Sequence, residues 1–229
     1  MNRLPLYPGT PDIMHKRIVS IARLHYITGA CPPGLSQAAF VETLCSAGVR
    51  WIQFRSKHQS FPAFIRAAAE VKEVCDKYGA TLIINDNVEA ALAVRAAGVH
   101  LGREDMLPSE ARKMLGDTAV IGGTVNTPGD VLRLSGEPVD YIGLGPFRFT
   151  STKEKLSPVL GLEGIKELLP CAAIPVIAIG GITSGDVQPL LGAGVHGVAV
   201  SSALSLSENP PETVKQFLKT IYPSEPIPV

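Results

Sequence analysis

The sequence predicts an α/β fold, a single-domain (β/α)8 TIM barrel. Three observations lead to this prediction: short apolar β-rich runs alternate with helical patterns along the chain, about eight such units are present, and no linker or change of composition marks a second domain. Eight units within 229 residues suit a closed barrel. The alternative is a doubly wound open sheet, which is less favoured because no Gly-x-Gly-x-x-Gly motif follows the first strand.

The predicted strands and helices follow one another in alternation. The strands are the runs Leu24–Thr28, Trp51–Phe54, Thr81–Ile84, Gly98–Leu101, Ala119–Gly122, Tyr141–Leu144, Val176–Ile179 and Gly197–Val200. The helices are the stretches Ser36–Ala47, Phe61–Tyr78, Val88–Ala97, Pro108–Leu115, Pro128–Ser135, Leu162–Leu169, Gly185–Ala193 and Glu212–Ile221. Glycine supplies the left-handed residue that ends many helices, so Gly79 and recurring Ala-Gly dipeptides such as Ala97-Gly98 are interpreted as boundaries before the next strand.

The barrel is expected to occupy residues 21–222. Residues 1–20, interrupted by three prolines, are interpreted as an N-terminal extension, and residues 223–229 as a disordered tail. The N-terminal segment lacks the continuous apolar core of a signal peptide. No apolar run approaches the roughly 18 residues of a membrane span, so no membrane partner is expected.

Composition excludes several other classes of partner. Hydrophobic residues make up 45% of the chain and charged residues 18%, which allows a sizeable core. A formal net charge of +0 argues against nucleic acid, which selects basic surfaces. The cysteines are scattered without a Cys-x-x-Cys pair, so reduced thiols in a cytoplasmic protein are expected rather than disulfides or zinc. Composition does not determine the oligomeric state, and a homo-oligomer stays open.

Charged and polar residues follow the second, third and fourth predicted strands, where the active site of such a barrel lies. The period of two along a strand places Gln53, Arg55 and Lys57 on one side, as a site for a polyanion would require. Asp86 and Asp105 follow the next two strands and could share one Mg²⁺, which takes one or two carboxylates together with water and phosphate oxygens. The alternative role for Asp86 is that of N-cap of the following helix.

The last four strands also end in residues suited to anions. The fifth leads to Gly122-Gly123-Thr124, and the sixth to Thr150-Ser151-Thr152-Lys153, which combines hydroxyls with an ammonium group. Gly180-Gly181 follows the seventh strand and Ser201-Ser202 the eighth, at the usual phosphate site of these barrels. The chain therefore predicts two anion sites, one cationic and metal-assisted, the other built from backbone and hydroxyls. Such a pair describes an enzyme that joins a diphosphate substrate to a monophosphate substrate.

The sequence resembles the thiamine phosphate synthase family over about residues 24–205. The resemblance is carried by motifs in the family's order, Gln53-x-Arg55-x-Lys57, Ile84-Asn85-Asp86, Gly98-Val99-His100-Leu101-Gly102-x-Glu104-Asp105, Gly143-Leu144-Gly145-Pro146, Thr150-x-Thr152-Lys153 and Ala178-Ile179-Gly180-Gly181-Ile182. It implies condensation of (4-amino-2-methyl-5-pyrimidinyl)methyl diphosphate with 4-methyl-5-(2-phosphooxyethyl)thiazole to give thiamine phosphate and pyrophosphate. The implied mechanism is dissociative: pyrophosphate leaves first, and the thiazole nitrogen then attacks the pyrimidine methyl cation.

The resemblance also implies a role for each matching residue. Asp86 and Asp105 would hold Mg²⁺, and Gln53 would contact the pyrimidine. The residues implied in binding the diphosphate are Arg55, Lys57, Asn85 and Lys153, with Thr124 close by. Those implied in binding the thiazole phosphate are Gly181, Ser201 and Ser202, with Thr150 and Thr152 on the covering loop.

Three positions depart from the family pattern. Ser56 stands where Glu is usual, Arg103 where Gln is common, and Thr124 where Ser is common. Arg103 adds a charge near the expected metal site and is expected to alter diphosphate affinity. His100 matches the family but lies within an apolar run, which favours a packed position in the core.

Three alternative functions stay open. A thiazole tautomerase would share the barrel, but its catalytic histidine would fall near Asn126, whose amide cannot shuttle a proton. A non-catalytic paralogue that binds thiazole phosphate would keep Gly181 and Ser202 without needing Asp86, Asp105 or Lys153. A generic phosphate-binding barrel isomerase is the third alternative.

Overall fold

The chain forms a closed barrel of eight parallel strands in a computed structural model that describes residues 20–57, 59–150 and 157–223. The strands are β1 Leu24–Ile27, β2 Trp51–Phe54, β3 Thr81–Asn85, β4 Gly98–Leu101, β5 Val120–Val125, β6 Tyr141–Leu144, β7 Val176–Ile179 and β8 Gly197–Val200. The helices are α1 Gln37–Ser46, α2 Phe61–Lys77, α3 Val88–Ala93, α4 Pro108–Leu115, α5 Pro128–Leu134, α6 Gly161–Leu168, α7 Val187–Ala193, α8 Ser202–Ser205 and α9 Pro210–Ile221. Each strand pairs with its neighbours in sequence, and β1 pairs with β8, which confirms the predicted (β/α)8 barrel.

Two apolar layers hold the barrel together. Alternate residues of each strand point inward or outward, so Trp51, Tyr141 and Ile177 fill the interior, whereas Ile52 and Ile142 belong to the larger core under the helices. Burial of these two layers supplies the main driving force for folding. The strand ends are consequently rigid positions from which side chains can be presented.

The structure differs from the sequence prediction at several boundaries. β5 continues to Val125, so Thr124 lies within the strand instead of after it. α3 ends earlier than predicted, at Ala93, and Arg95 just after it adopts a left-handed φ of 52°. Gly98 opens β4 as predicted. The sequence pattern does not predict the short helix α8, and α9 begins at Pro210, before the predicted start at Glu212.

The expected limits of the barrel domain lie near the two ends of the described residues. Almost all of the N-terminal extension and of the C-terminal tail lies outside the described residues, so both remain sequence-based expectations. Within the described ranges, no helix combines the length and apolar character needed to cross a membrane.

Gly98 is required by the close approach of β4 and β5. A Cβ atom at this position would lie 1.8 Å from the backbone oxygen of Val120, which cannot move without breaking the sheet. We expect Gly98→Ala to destabilise the protein by about 2 kcal/mol or more, as overpacking of a core does. Gly192→Ala is the matched control, because nothing lies near its Cβ and alanine favours the helix. Urea unfolding of both variants measures the difference, and equal stability of the two would contradict this account.

His25 makes stability depend on pH. Its ring is stacked on Trp51 with centroids 4.5 Å apart, and Nε2 donates to the backbone oxygen of Ala22 at 2.8 Å. Burial lowers the pKa of His25 from 6.5 to about 3, although the bond to Ala22 opposes this shift. Between those values the unfolded chain binds a proton that the folded protein does not, so stability falls as the pH falls from about 6.5 towards 3.

We therefore expect His25→Gln to remove part of the acid sensitivity. Glutamine can still donate to Ala22 O but does not titrate. Between pH 7.5 and 5, the wild-type free energy of unfolding should fall by about 2 kcal/mol more than that of the variant. Urea unfolding at the two pH values measures this, and equal losses would mean that His25 titrates normally in the folded protein.

Candidate active site

Thr28 fixes the backbone from which the two predicted cations emerge. Its Oγ1 accepts a hydrogen bond from Arg55 N–H and donates one to Arg55 O, both at 2.8 Å, and its N–H donates to Gln53 O at 3.0 Å. Arg55 and Lys57 follow directly at the carboxyl end of β2. Thr28 is not among the predicted site residues, although a hydroxyl at the end of an apolar strand is a signal for such a role.

Gln53 and Asn85 meet at the same end of the barrel. The side chain of Gln53 is buried, and its Nε2 donates to Asn85 Oδ1 at 2.7 Å. Strands β2 and β3 are paired in register here, with Gln53 opposite Ile83. The two predicted substrate-binding amides therefore form one hydrogen-bonded unit.

Two carboxylates, Asp86 and Asp105, line a cleft of about 370 Å³ at the ends of β3 and β4. Asp86 is exposed and has a left-handed φ of 65°, and its N–H donates to His100 O at 2.9 Å. Asn87, not Asp86, caps α3, since its side chain accepts from Ala90 N–H. Asp86 is therefore not the N-cap of α3, and it lines the cleft.

The second carboxylate is held by its own loop. Asp105 Oδ2 accepts a hydrogen bond of 2.6 Å from Gly102 N–H, which turns the β4 exit loop back on itself. In the described ranges no group of three or more His, Cys, Asp and Glu side chains is suited to a metal. Two carboxylates suit Mg²⁺ only where water and phosphate oxygens complete its shell.

Thr124 is connected to the barrel interior through His100. The Nε2 atom of His100 lies 3.0 Å from Thr124 Oγ1, and its Nδ1 lies 3.1 Å from Tyr141 OH. A Cβ at Gly122 would lie 2.5 Å from His100 Nδ1, so the glycine provides space for the ring. His100 is buried and packed as expected, and it positions the Thr124 hydroxyl at the end of β5.

The exits of β6 and β7 are bonded to each other. Phe147 N–H donates to Ile179 O at 2.8 Å, and Arg148 N–H donates to Gly180 O at 2.9 Å. Gly181 has φ +65°, and a Cβ there would lie 2.9 Å from Phe149 O. Glycine is therefore needed so that the two loops can pack together, in addition to any role in binding phosphate. Thr150 directly follows this packed segment in the sequence, whereas the predicted residues Thr152 and Lys153 lie outside the described residues.

The predicted serines share a cleft with the predicted cations. This cleft, of about 400 Å³, is lined by Arg55, Lys57, Ser201 and Ser202 among others. The sequence pattern predicts these cations and serines in two separate anion sites. They come together because β2 and β8 both flank β1, and Gly29 at the β1 exit has no side chain between them.

Two arginines at the mouth are paired with carboxylates. Arg103 contacts the buried Asp130 at 2.7 Å, so the extra charge expected near the metal site has a carboxylate partner. Burial would raise the pKa of Asp130, but hydrogen bonds from Arg103, Asn126 N–H and Thr127 outweigh it and hold the pKa below its usual value. Arg148 contacts Asp186 at 2.8 Å, and its hydrogen bonds lower the pKa of Asp186 to about 2.

Several known proteins are similar to this chain in sequence. The family model of thiamine monophosphate synthase matches residues 24–204. The thiamine-phosphate synthase of Flavobacterium johnsoniae is 44% identical over 191 residues, which cover 81% of this chain and 90% of the relative. That of Flavobacterium psychrophilum is 46% identical over 179 residues, covering 76% and 87%.

Solved structures agree with the sequence comparisons. Thiamine phosphate pyrophosphorylase from Pyrococcus furiosus superimposes with a TM-score of 0.77 at 29% identity, covering 88% of this chain and 96% of that chain. A KDPGal structure, with a TM-score of 0.66 at 18% identity, shares the fold alone. The chain, matched over most of its length by the family model and by relatives more than 40% identical, belongs to the thiamine monophosphate synthase family.

Proposed function

We propose that the protein condenses (4-amino-2-methyl-5-pyrimidinyl)methyl diphosphate with 4-methyl-5-(2-phosphooxyethyl)thiazole, giving thiamine phosphate and pyrophosphate. The observation that carries the proposal is the convergence at one barrel mouth of cations from β2, carboxylates from β3 and β4, and hydroxyls from β8. Membership of the family supports the same reaction. The partners are accordingly small molecules. We also propose a cytoplasmic location, which the four free cysteines support.

The proposed reaction begins with loss of pyrophosphate. The C–O bond between the pyrimidine methylene carbon and the diphosphate breaks, and the electron pair leaves with the pyrophosphate. The aminopyrimidine ring delocalises the positive charge that is left. Arg55 and Lys57 are the cations that would stabilise the negative charge growing on the leaving group, and the expected position of Lys153 adds a third. The thiazole nitrogen then donates its electron pair to the methylene carbon, so no side-chain nucleophile is required.

The remaining residues would orient the two substrates. Gln53, aligned by Asn85, would contact the pyrimidine, and Thr124, held by His100, would donate to the diphosphate. Gly181, Ser201 and Ser202 would bind the thiazole phosphate, with Thr150 nearby. Burial of the substrates away from water would protect the cation from hydrolysis.

Mg²⁺ is the cofactor that we propose, with Asp86 and Asp105 as its protein ligands. Both carboxylates line one cleft, and a pair of carboxylates leaves positions for phosphate oxygens and water. When bound, the ion would neutralise charge on the diphosphate and favour its departure.

The tautomerase alternative is disfavoured by Asn126. Its Nδ2 donates to the backbone oxygen of Gly145, which ties the amide to the β6 exit. An amide in this position holds a loop and cannot move a proton.

The direct test is synthesis by the purified protein. With Mg²⁺ and both substrates, we expect thiamine phosphate and pyrophosphate to form in equal amounts, as measured by chromatography and a pyrophosphate assay. Folded protein that yields neither product would refute the proposal. Tight binding of thiazole phosphate without turnover would instead indicate the non-catalytic paralogue.

Asp86→Asn and Asp105→Asn test the metal site. At position 86, asparagine tolerates the left-handed backbone. At position 105, it can still accept the hydrogen bond from Gly102 N–H. Each change therefore removes mainly charge. We expect each variant to lose at least about a hundredfold in rate at moderate Mg²⁺, because charge developing in the transition state is no longer neutralised. Thiazole phosphate affinity, measured by calorimetry, should change little.

Glu110→Gln is the matched control for these variants. It removes an exposed carboxylate from the first turn of α4, outside the cleft, and should retain full activity. A fully active Asp86→Asn or Asp105→Asn variant would exclude that residue from the metal site.

A further inference from the structure

Arg103 ties the β4 exit loop to the start of α5. Its Nε and Nη2 donate to Asp130 Oδ1 at 3.0 and 2.7 Å, and Nη2 lies 3.4 Å from Thr127 Oγ1. Asp130 is at the same time the acidic member of a capping box, in which its Oδ2 accepts from Thr127 N–H and Thr127 Oγ1 accepts from Asp130 N–H. The loop that Arg103 holds is the one that carries Asp105.

Arg148 makes the corresponding connection two strands later. Its Nη1 and Nη2 donate to the two oxygens of Asp186 at 2.9 and 2.8 Å, and Nη1 also donates to Gly181 O at 2.7 Å. Asp186 is again the acidic member of a capping box, here with Thr183 at the turn before α7. Arg148 therefore joins the β6 exit loop both to a helix start and to the turn at Gly181.

The two connections follow one plan. In each, an arginine on the loop after an even-numbered strand contacts an aspartate at the start of the helix that follows the next odd-numbered strand, α5 after β5 and α7 after β7. The capping boxes are complete without the arginines, since backbone and threonine donors already contact each aspartate. The arginine side chains are 62% and 49% exposed, whereas the aspartate side chains that they contact are 2% and 15% exposed. Because each carboxylate keeps its threonine and backbone donors without the arginine, the specific consequence of each arginine is the position of its loop.

We propose that Arg103 and Arg148 are positioning residues that each serve a different substrate. Arg103 sets the loop of Asp105 and so governs the diphosphate side, whereas Arg148 sets the Gly181 turn and Thr150 and so governs the thiazole phosphate side. The inference rests on the proposed function for the identity of the two substrates. It goes beyond that function because it divides the barrel mouth into two halves, and a different arginine positions the loops of each half.

The forked geometry of the guanidinium carries part of the argument for Arg148. Three acceptors surround it, Gly181 O and both oxygens of Asp186, and a lysine ammonium cannot reproduce this planar fork. Holding the Gly181 carbonyl fixes the orientation of the peptide that follows it. Arg148→Lys should consequently restore only part of what Arg148→Ala loses.

The experiment compares Arg103→Ala with Arg148→Ala, each serving as the control for the other. We expect Arg148→Ala to raise the KM for thiazole phosphate by about fivefold or more and to leave that for the diphosphate within about twofold; Arg103→Ala should do the reverse. Asp186→Asn, which keeps an oxygen for the capping box, should act like Arg148→Ala, and the double variant should be no worse than either single one.

Measurements of ligand binding test this inference without requiring that the protein catalyse the reaction. Calorimetric titrations with thiazole phosphate alone, and with inorganic pyrophosphate plus Mg²⁺, should show the same crossed pattern without any turnover. Thermal unfolding checks that the variants are folded. Equal weakening of both ligands, no change in either, or losses that merely follow lowered stability would overturn the inference. A wild-type protein that binds both ligands but makes no thiamine phosphate would refute the proposed function and leave the crossed pattern testable.

Discussion

The pairing of β1 with β8 is the constraint on which the candidate site depends. Its register, with His25 opposite Ala199 and Tyr26 opposite Val200, closes the barrel and brings the exit of β8 beside that of β1. A Cβ at Gly29 would come within 2.8 Å of Ser201 Oγ, which shows how closely the two exits approach. An open sheet with the same strands would leave β8 far from β2. Closure therefore places hydroxyls from one end of the chain against cations from the other.

A chain of contacts between aromatic and imidazole rings in the barrel interior leads to the mouth. His25 stacks on Trp51, and the ring of Tyr141 lies nearly perpendicular to both. Tyr141 OH contacts His100, which in turn contacts Thr124. Buried polar groups require partners, and this chain of contacts supplies them for the imidazole of His100. The Thr124 hydroxyl is thus oriented by the packing of the whole interior, more firmly than a surface loop could hold it.

The loops at the mouth depend on backbone contacts as much as on side chains. The β6 exit segment is bonded to the β7 exit by Phe147 and Arg148 N–H, and Asn126 Nδ2 reaches the β6 exit from β5. Gly181 accommodates this packing through its left-handed conformation. Residues that look like simple phosphate binders therefore also hold neighbouring loops, and substitutions there combine both effects.

The sequence by itself determined the fold class, the family and which polar residues stand at strand ends. Apolar runs and helical patterns are local, and all strands of a parallel barrel end on one side, so Gln53, Asn85 and Asp86 could be placed together without coordinates. Tertiary structure alone decided the shared cleft of Arg55 with Ser201, the role of Thr28, and the partners of Arg103 and Arg148. These contacts join distant parts of the chain, and they depend on strand register, on barrel closure and on the small side chains between them.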